Sequence, residues 1–94
     1  IKHVFGHRAS EIPVVSVKSE MGHTMGAAGT LEVICAVKTI QSQLLPPTIN
    51  LEEPDPECDL DYVPGTPRPY GVQTVLSNSY GIGGTNAAIV LRKA

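Results

Sequence analysis

The sequence predicts an α/β fold, and three stretches of it carry that prediction. The run Pro13-Val14-Val15-Ser16-Val17 is apolar and β-branched, as a strand requires. A small-residue segment, Thr24-Met25-Gly26-Ala27-Ala28-Gly29, then leads into a long apolar stretch, residues 31–40, that predicts a helix over about 27–43. Near the C-terminus two more strand-like runs, residues 72–76 and 87–91, flank a glycine-rich turn.

The chain divides into three parts on this pattern. Residues 1–43 form a strand, a His-bearing loop and a helix, after a polar lead-in containing Lys2, His3, His7 and Arg8. The predicted helix is apolar on nearly every face, through Leu31, Val33, Ile34, Cys35, Val37 and Ile40. A helix without a polar stripe is buried on both sides or unstable alone. Residues 44–71 are a long connection that holds seven of the eight prolines, which stiffen and extend it. Its six acids, Glu52, Glu53, Asp55, Glu57, Asp59 and Asp61, lack the Asp-x-Asp-x-Asp-Gly order of a calcium loop and predict a solvated segment instead. Residues 72–94 are two strands around the glycine turn.

Composition narrows the classes of function. A net charge of −2 with seven Lys and Arg argues against nucleic-acid binding. No apolar run reaches membrane-spanning length, so no membrane partner is expected. Two Cys in no pairing motif point to a reducing compartment. Neither has the electropositive surroundings that activate a thiol: Cys35 falls among aliphatics in the helix and Cys58 among acids. With 41% hydrophobic and 17% charged residues, the chain carries much apolar surface for its size, and we expect it to be part of something larger.

Two places can carry chemistry. Gly22-His23 lies five residues after Lys18, where the predicted strand hands over to the helix. Strand ends are where α/β proteins place ligands. A helix start adds unpaired N–H groups and a positive dipole end. A neutral imidazole there can donate a hydrogen bond to a developing oxyanion; a capping or core His fits the position equally well. The second place is Gly81-Ile82-Gly83-Gly84-Thr85-Asn86, where an interrupted strand can present bare N–H groups. It is neither a dinucleotide fingerprint, since Asn86 replaces the last Gly and no helix follows, nor a P-loop, since no Gly-Lys-Ser/Thr follows. By itself the turn fits a structural role as well.

Five blocks, in order, resemble the C-terminal part of the elongating β-ketoacyl-[acyl-carrier-protein] synthases. They are Lys18-Ser19 with Gly22-His23; Gly26-Ala27-Ala28-Gly29 with Glu32; Pro46-Pro47-Thr48-Ile49-Asn50; Pro54-Asp55-Pro56-Glu57-Cys58-Asp59-Leu60-Asp61; and Ser77-Asn78-Ser79 with Gly81, Gly83, Gly84, Thr85 and Asn86. The resemblance implies a thiolase-like fold, of which this chain is the final part of the C-terminal half, a mixed sheet with a buried helix. It implies decarboxylative Claisen condensation of an acyl thioester with malonyl-acyl-carrier protein in fatty acid elongation. It gives His23 the role of the second catalytic His, which stabilises the enolate, Lys18 that of the active-site Lys, and Glu32 that of its acidic partner. The backbone N–H of Ile82 would contribute to an oxyanion hole, with Gly81, Gly83 and Gly84 around the acyl substrate. Ile82 stands where the family usually has Phe, which leaves the gating of the acyl pocket open. His3 and His7 match no catalytic position.

The same resemblance puts the nucleophilic Cys and the first catalytic His upstream, outside this chain. It implies no cofactor and no metal. The partners are acyl carrier protein loaded with acyl and malonyl groups, the rest of the ketosynthase chain, and a second copy in a homodimer. The setting is the cytoplasm, or the mitochondrial or plastid matrix of a eukaryote. A polyketide ketosynthase, a non-catalytic chain-length-factor subunit of the same fold, and a stand-alone binding module remain as alternatives. His23 and Lys18 argue against the second, and the apolar helix argues against the third.

Overall fold

The computed structural model describes all residues, 1–94. Its helices are α1 (Lys2–Phe5), α2 (Lys18–Met21) and α3 (Ala28–Ser42), with 3-10 turns over Gly6–Glu11 and Met25–Ala27. Its strands are β1 (Leu44–Leu45), β2 (Arg68–Pro69), β3 (Thr74–Tyr80) and β4 (Asn86–Arg92). β1 pairs with β2, and β3 with β4.

Two compact units share these elements. The first comprises residues 1–22 and 45–68, and the second residues 23–44 and 69–94. In the first, Val17, Leu45 and Val63 are buried, and the proline-rich connection folds onto itself. Thr48 donates its N–H to Val63 O at 2.8 Å and its hydroxyl to Tyr62 O at 2.6 Å, and Gly65 N–H returns to Thr48 O at 3.0 Å. The run 13–17 forms no strand. Residues 13–16 take no regular structure, Val17 is already helical (φ −63°, ψ −7°) at the start of α2, and although Val14 N–H reaches Asp61 O at 2.8 Å, no ladder follows. A β-branched run becomes a strand only when a neighbour takes its alternating N–H and C=O groups, and this chain supplies one such bond.

In the second unit, α3 packs chiefly on β3. The expected mixed sheet is represented there by the antiparallel pair β3–β4, in register from Thr74 opposite Arg92 to Tyr80 opposite Asn86. Alternation sends Val75, Ser77 and Ser79 to one face and Leu76, Asn78 and Tyr80 to the other. α3 is less covered than its sequence predicts: only Ala36 and Thr39 are buried, and Ile34 is half exposed. Its C-terminus is tied by Gln43, which adopts a left-handed backbone (φ 57°). The Gln43 amide accepts from Val72 N–H at 2.9 Å and donates to Val72 O at 2.8 Å, as a neighbouring strand would.

Candidate active site

His23 lies in a two-residue link, after Gly22 (φ 77°) ends α2 and before the 3-10 turn that opens at Met25. The helix start predicted beside it is therefore this short turn, which runs on into α3. Met25 N–H, the first donor of the turn, has no helical acceptor and donates to His23 Nδ1 at 3.2 Å. An imidazole nitrogen that accepts carries no proton, so the proton of the neutral ring sits on Nε2 and can be donated to a ligand. The geometry fixes a tautomer, and it does so through Met25, which the sequence reading did not assign a role. Met25 has φ 53°, a left-handed conformation uncommon for a side chain of its size. No pattern in the sequence marks that backbone angle.

Glu32, the fifth residue of α3, is half-buried in this chain. Ser79 of β3 donates a long hydrogen bond to its Oε2, at 3.5 Å, across the contact between helix and hairpin. Gly29 approaches the same hydroxyl: a Cβ built there would lie 3.8 Å from Ser79 Oγ. Between α3 and the hairpin lies an apolar cavity of about 220 Å³, bounded by Gly29, Val33, Ser77, Ser79, Ala87 and Ile89.

The glycine turn closes the β3–β4 hairpin rather than bulging a continuous strand. Gly81 N–H donates to Thr85 O at 2.7 Å and Gly84 N–H to Gly81 O at 3.2 Å. Gly83 (φ 100°) and Gly84 (φ 85°) adopt angles that side chains resist. The N–H groups of Ile82 and Gly83 enter no hydrogen bond within the chain, and Ile82 is fully exposed at the tip. The Ile82 N–H, expected as an oxyanion donor, thus has no acceptor within the chain.

Lys18 belongs to the first unit, where it is half-buried at the first position of α2. The solvated acidic connection holds for Glu52, Glu53, Asp55 and Glu57, which are exposed, but Asp59 pairs with Lys2 and Asp61 with Arg68. The Arg68 guanidinium, and less strongly the Val63 N–H, hold the Asp61 carboxyl below its ordinary 3.8 against an opposing desolvation. No three His, Cys, Asp or Glu side chains are grouped to hold a metal, and no helix is long and apolar enough to cross a membrane.

Comparison with known proteins settles the family. The description "Beta-ketoacyl synthase, C-terminal domain" matches residues 1–52. The chain belongs to the β-ketoacyl synthase family. It is 50% identical over 93 residues to 3-oxoacyl-[acyl-carrier-protein] synthase 2 of Coxiella burnetii, covering 99% of this chain and 22% of that protein. It is equally close, at 50% over 92 residues, to the ketoacyl synthase alpha subunit of the tetracenomycin polyketide synthase of Streptomyces glaucescens, covering 98% of this chain and 22% of that subunit. Among solved structures, a type II polyketide ketosynthase bound to a hexaketide and to its acyl-carrier protein superposes with a TM-score of 0.95 at 41% identity, over 99% of this chain and 23% of that one. The fold is thus that of the thiolase-like ketosynthases, and the chain spans about a fifth of the length of the relatives it matches.

Proposed function

We propose that this segment is the malonyl-activating part of a β-ketoacyl-acyl-carrier-protein synthase that elongates fatty acids. The observation that carries the reading is the Met25 N–H to His23 Nδ1 hydrogen bond, which leaves Nε2–H to donate. In the reaction the carboxylate carbon of a malonyl thioester leaves as CO₂, and the bonding electrons move onto the thioester oxygen as an enolate. His23 stabilises that oxygen by a hydrogen bond that strengthens as charge develops. The enolate carbon then attacks an acyl thioester held on a Cys elsewhere in the full-length protein, and the thiolate leaves. The acyl carbonyl oxygen is received by the Ile82 N–H, which the turn keeps unused. By the family resemblance, Lys18 and Glu32 are the charged residues that support the malonyl step. The carrier is acyl carrier protein, the active form is a homodimer, and the setting is the cytoplasm or an organelle matrix.

A polyketide ketosynthase is the second reading, favoured by the 50% identity to the tetracenomycin subunit. Both perform the same condensation and differ in what the product meets next. The full-length protein, given acyl- and malonyl-loaded carrier protein, is expected to release CO₂ and form a 3-oxoacyl-carrier product. If it reacts once with saturated acyl chains and refuses poly-β-keto chains, fatty acid elongation stands. Repeated condensation without reduction supports the polyketide reading, and no CO₂ release with any acyl donor contradicts both.

A further inference from the structure

The segments around Thr48 and Asp61 have no part in the chemistry above, yet they make a dense hydrogen-bond knot in the first unit. Asp61 is its node. Its backbone oxygen accepts from Val14 N–H at 2.8 Å, its Oδ1 accepts from Val63 N–H at 3.1 Å, and its Oδ2 takes the Arg68 guanidinium. Val63 is 1% exposed and has φ 50°. A buried β-branched residue in the left-handed region is strained and persists only where its surroundings over-determine it. The Asp61 carboxylate and the Thr48 bonds on either side do so. A second tie runs from the same connection: Ile49 N–H donates to Ser19 Oγ at 3.3 Å. Lys18 therefore lies between two anchors, Val14 four residues before it and Ser19 next after it, both pinned to one folded strap. The run 13–17 has no ladder of its own in this chain to do the same.

We propose that Asp61 is a positioning residue that sets the place of Lys18, with Ser19 as the second anchor; the proposal rests on Lys18 having the role given above. The carboxylate holds the strained turn at Val63, the turn presents Asp61 O to Val14, and the register of the segment leading to Lys18 follows. Small displacements of a catalytic group cost rate steeply, about 100-fold for 1 Å.

The test is a double-mutant cycle in the full-length protein, read as the rate of malonyl decarboxylation. Asp61→Ala alone should lower the rate about 10- to 100-fold, whereas Asp61→Asn, which retains an Oδ1 acceptor, should stay within about threefold of the wild type. In a Lys18→Ala background, Asp61→Ala should cost less than about twofold more, because the residue it positions is gone. Ser19→Ala should show the same dependence and serves where Asp61→Ala does not fold. Losses that multiply in the Lys18→Ala background would overturn the positioning role while leaving that of Lys18 intact. A wild-type rate in Lys18→Ala would overturn the assignment of Lys18, and the positioning role with it.

Discussion

Asp61 has a pH signature separate from activity. Its folded-state pKa is depressed, mainly by Arg68, so the stability it contributes is present above its ordinary 3.8 and is lost as pH falls through the folded value. The thermal midpoint of the full-length protein should exceed that of Asp61→Asn at pH 6, and the gap should narrow steadily below about pH 4. A gap independent of pH would show that the ion pair is not what the substitution removes. Ile82 gives a second test at this scale. Ile82→Pro deletes the N–H that the turn leaves unused, whereas Ile82→Phe alters only the side chain. Acyl transfer should fall far more in the proline variant, about 100-fold if one oxyanion donor is lost. Ile82→Phe should shift acyl preference and leave decarboxylation nearly unchanged. Normal acyl transfer in Ile82→Pro would remove Ile82 from the site.

Among the elements, the hairpin and α3 were legible because their signals are local. The apolar runs and glycine turn set β3, β4 and the loop between them to within a few residues, and the helix predicted over 27–43 is α3 nearly residue for residue. The run 13–17 was legible as apolar and β-branched but not as unpaired, since a strand's partner is not written in the strand. The His23 position was readable from its neighbours. The bond that orients its ring was not, because it depends on a left-handed angle at Met25 that no residue type there announces. The acids of the connection look alike in sequence. Only the folded strap separates Asp61, which is half-buried and paired, from its exposed neighbours. At the turn, Gly83→Ala places a Cβ on a backbone at φ 100°. It should destabilise the hairpin by about 1–2 kcal/mol through strain, although nothing crowds the position. An unchanged unfolding midpoint would mean that the turn relaxes to another conformation.

At the scale of the whole chain, many large hydrophobic side chains lie in water. The 94 residues leave 6891 Å² in water, against about 5,200 Å² for a compact monomer of this mass. Only six hydrophobic side chains, Ala9, Val17, Ala36, Leu45, Val63 and Val72, are buried. The exposed faces of Ile34, Leu76, Ile89 and Val90 are those that the continuous apolar patterns mark as interior. The isolated chain should therefore unfold without a cooperative transition and show no condensing activity, and a sharp thermal transition from a monomer would contradict this. On the proposed function, His23 and the Ile82 N–H serve different half-reactions. The direct test is His23→Ala in the full-length protein, with acyl transfer and malonyl decarboxylation measured separately. Decarboxylation should fall by about 10²–10³, equivalent to about 3–4 kcal/mol of lost oxyanion stabilisation, while acyl transfer stays near the wild-type rate. Equal loss of both half-reactions would make His23 a structural residue and contradict the account.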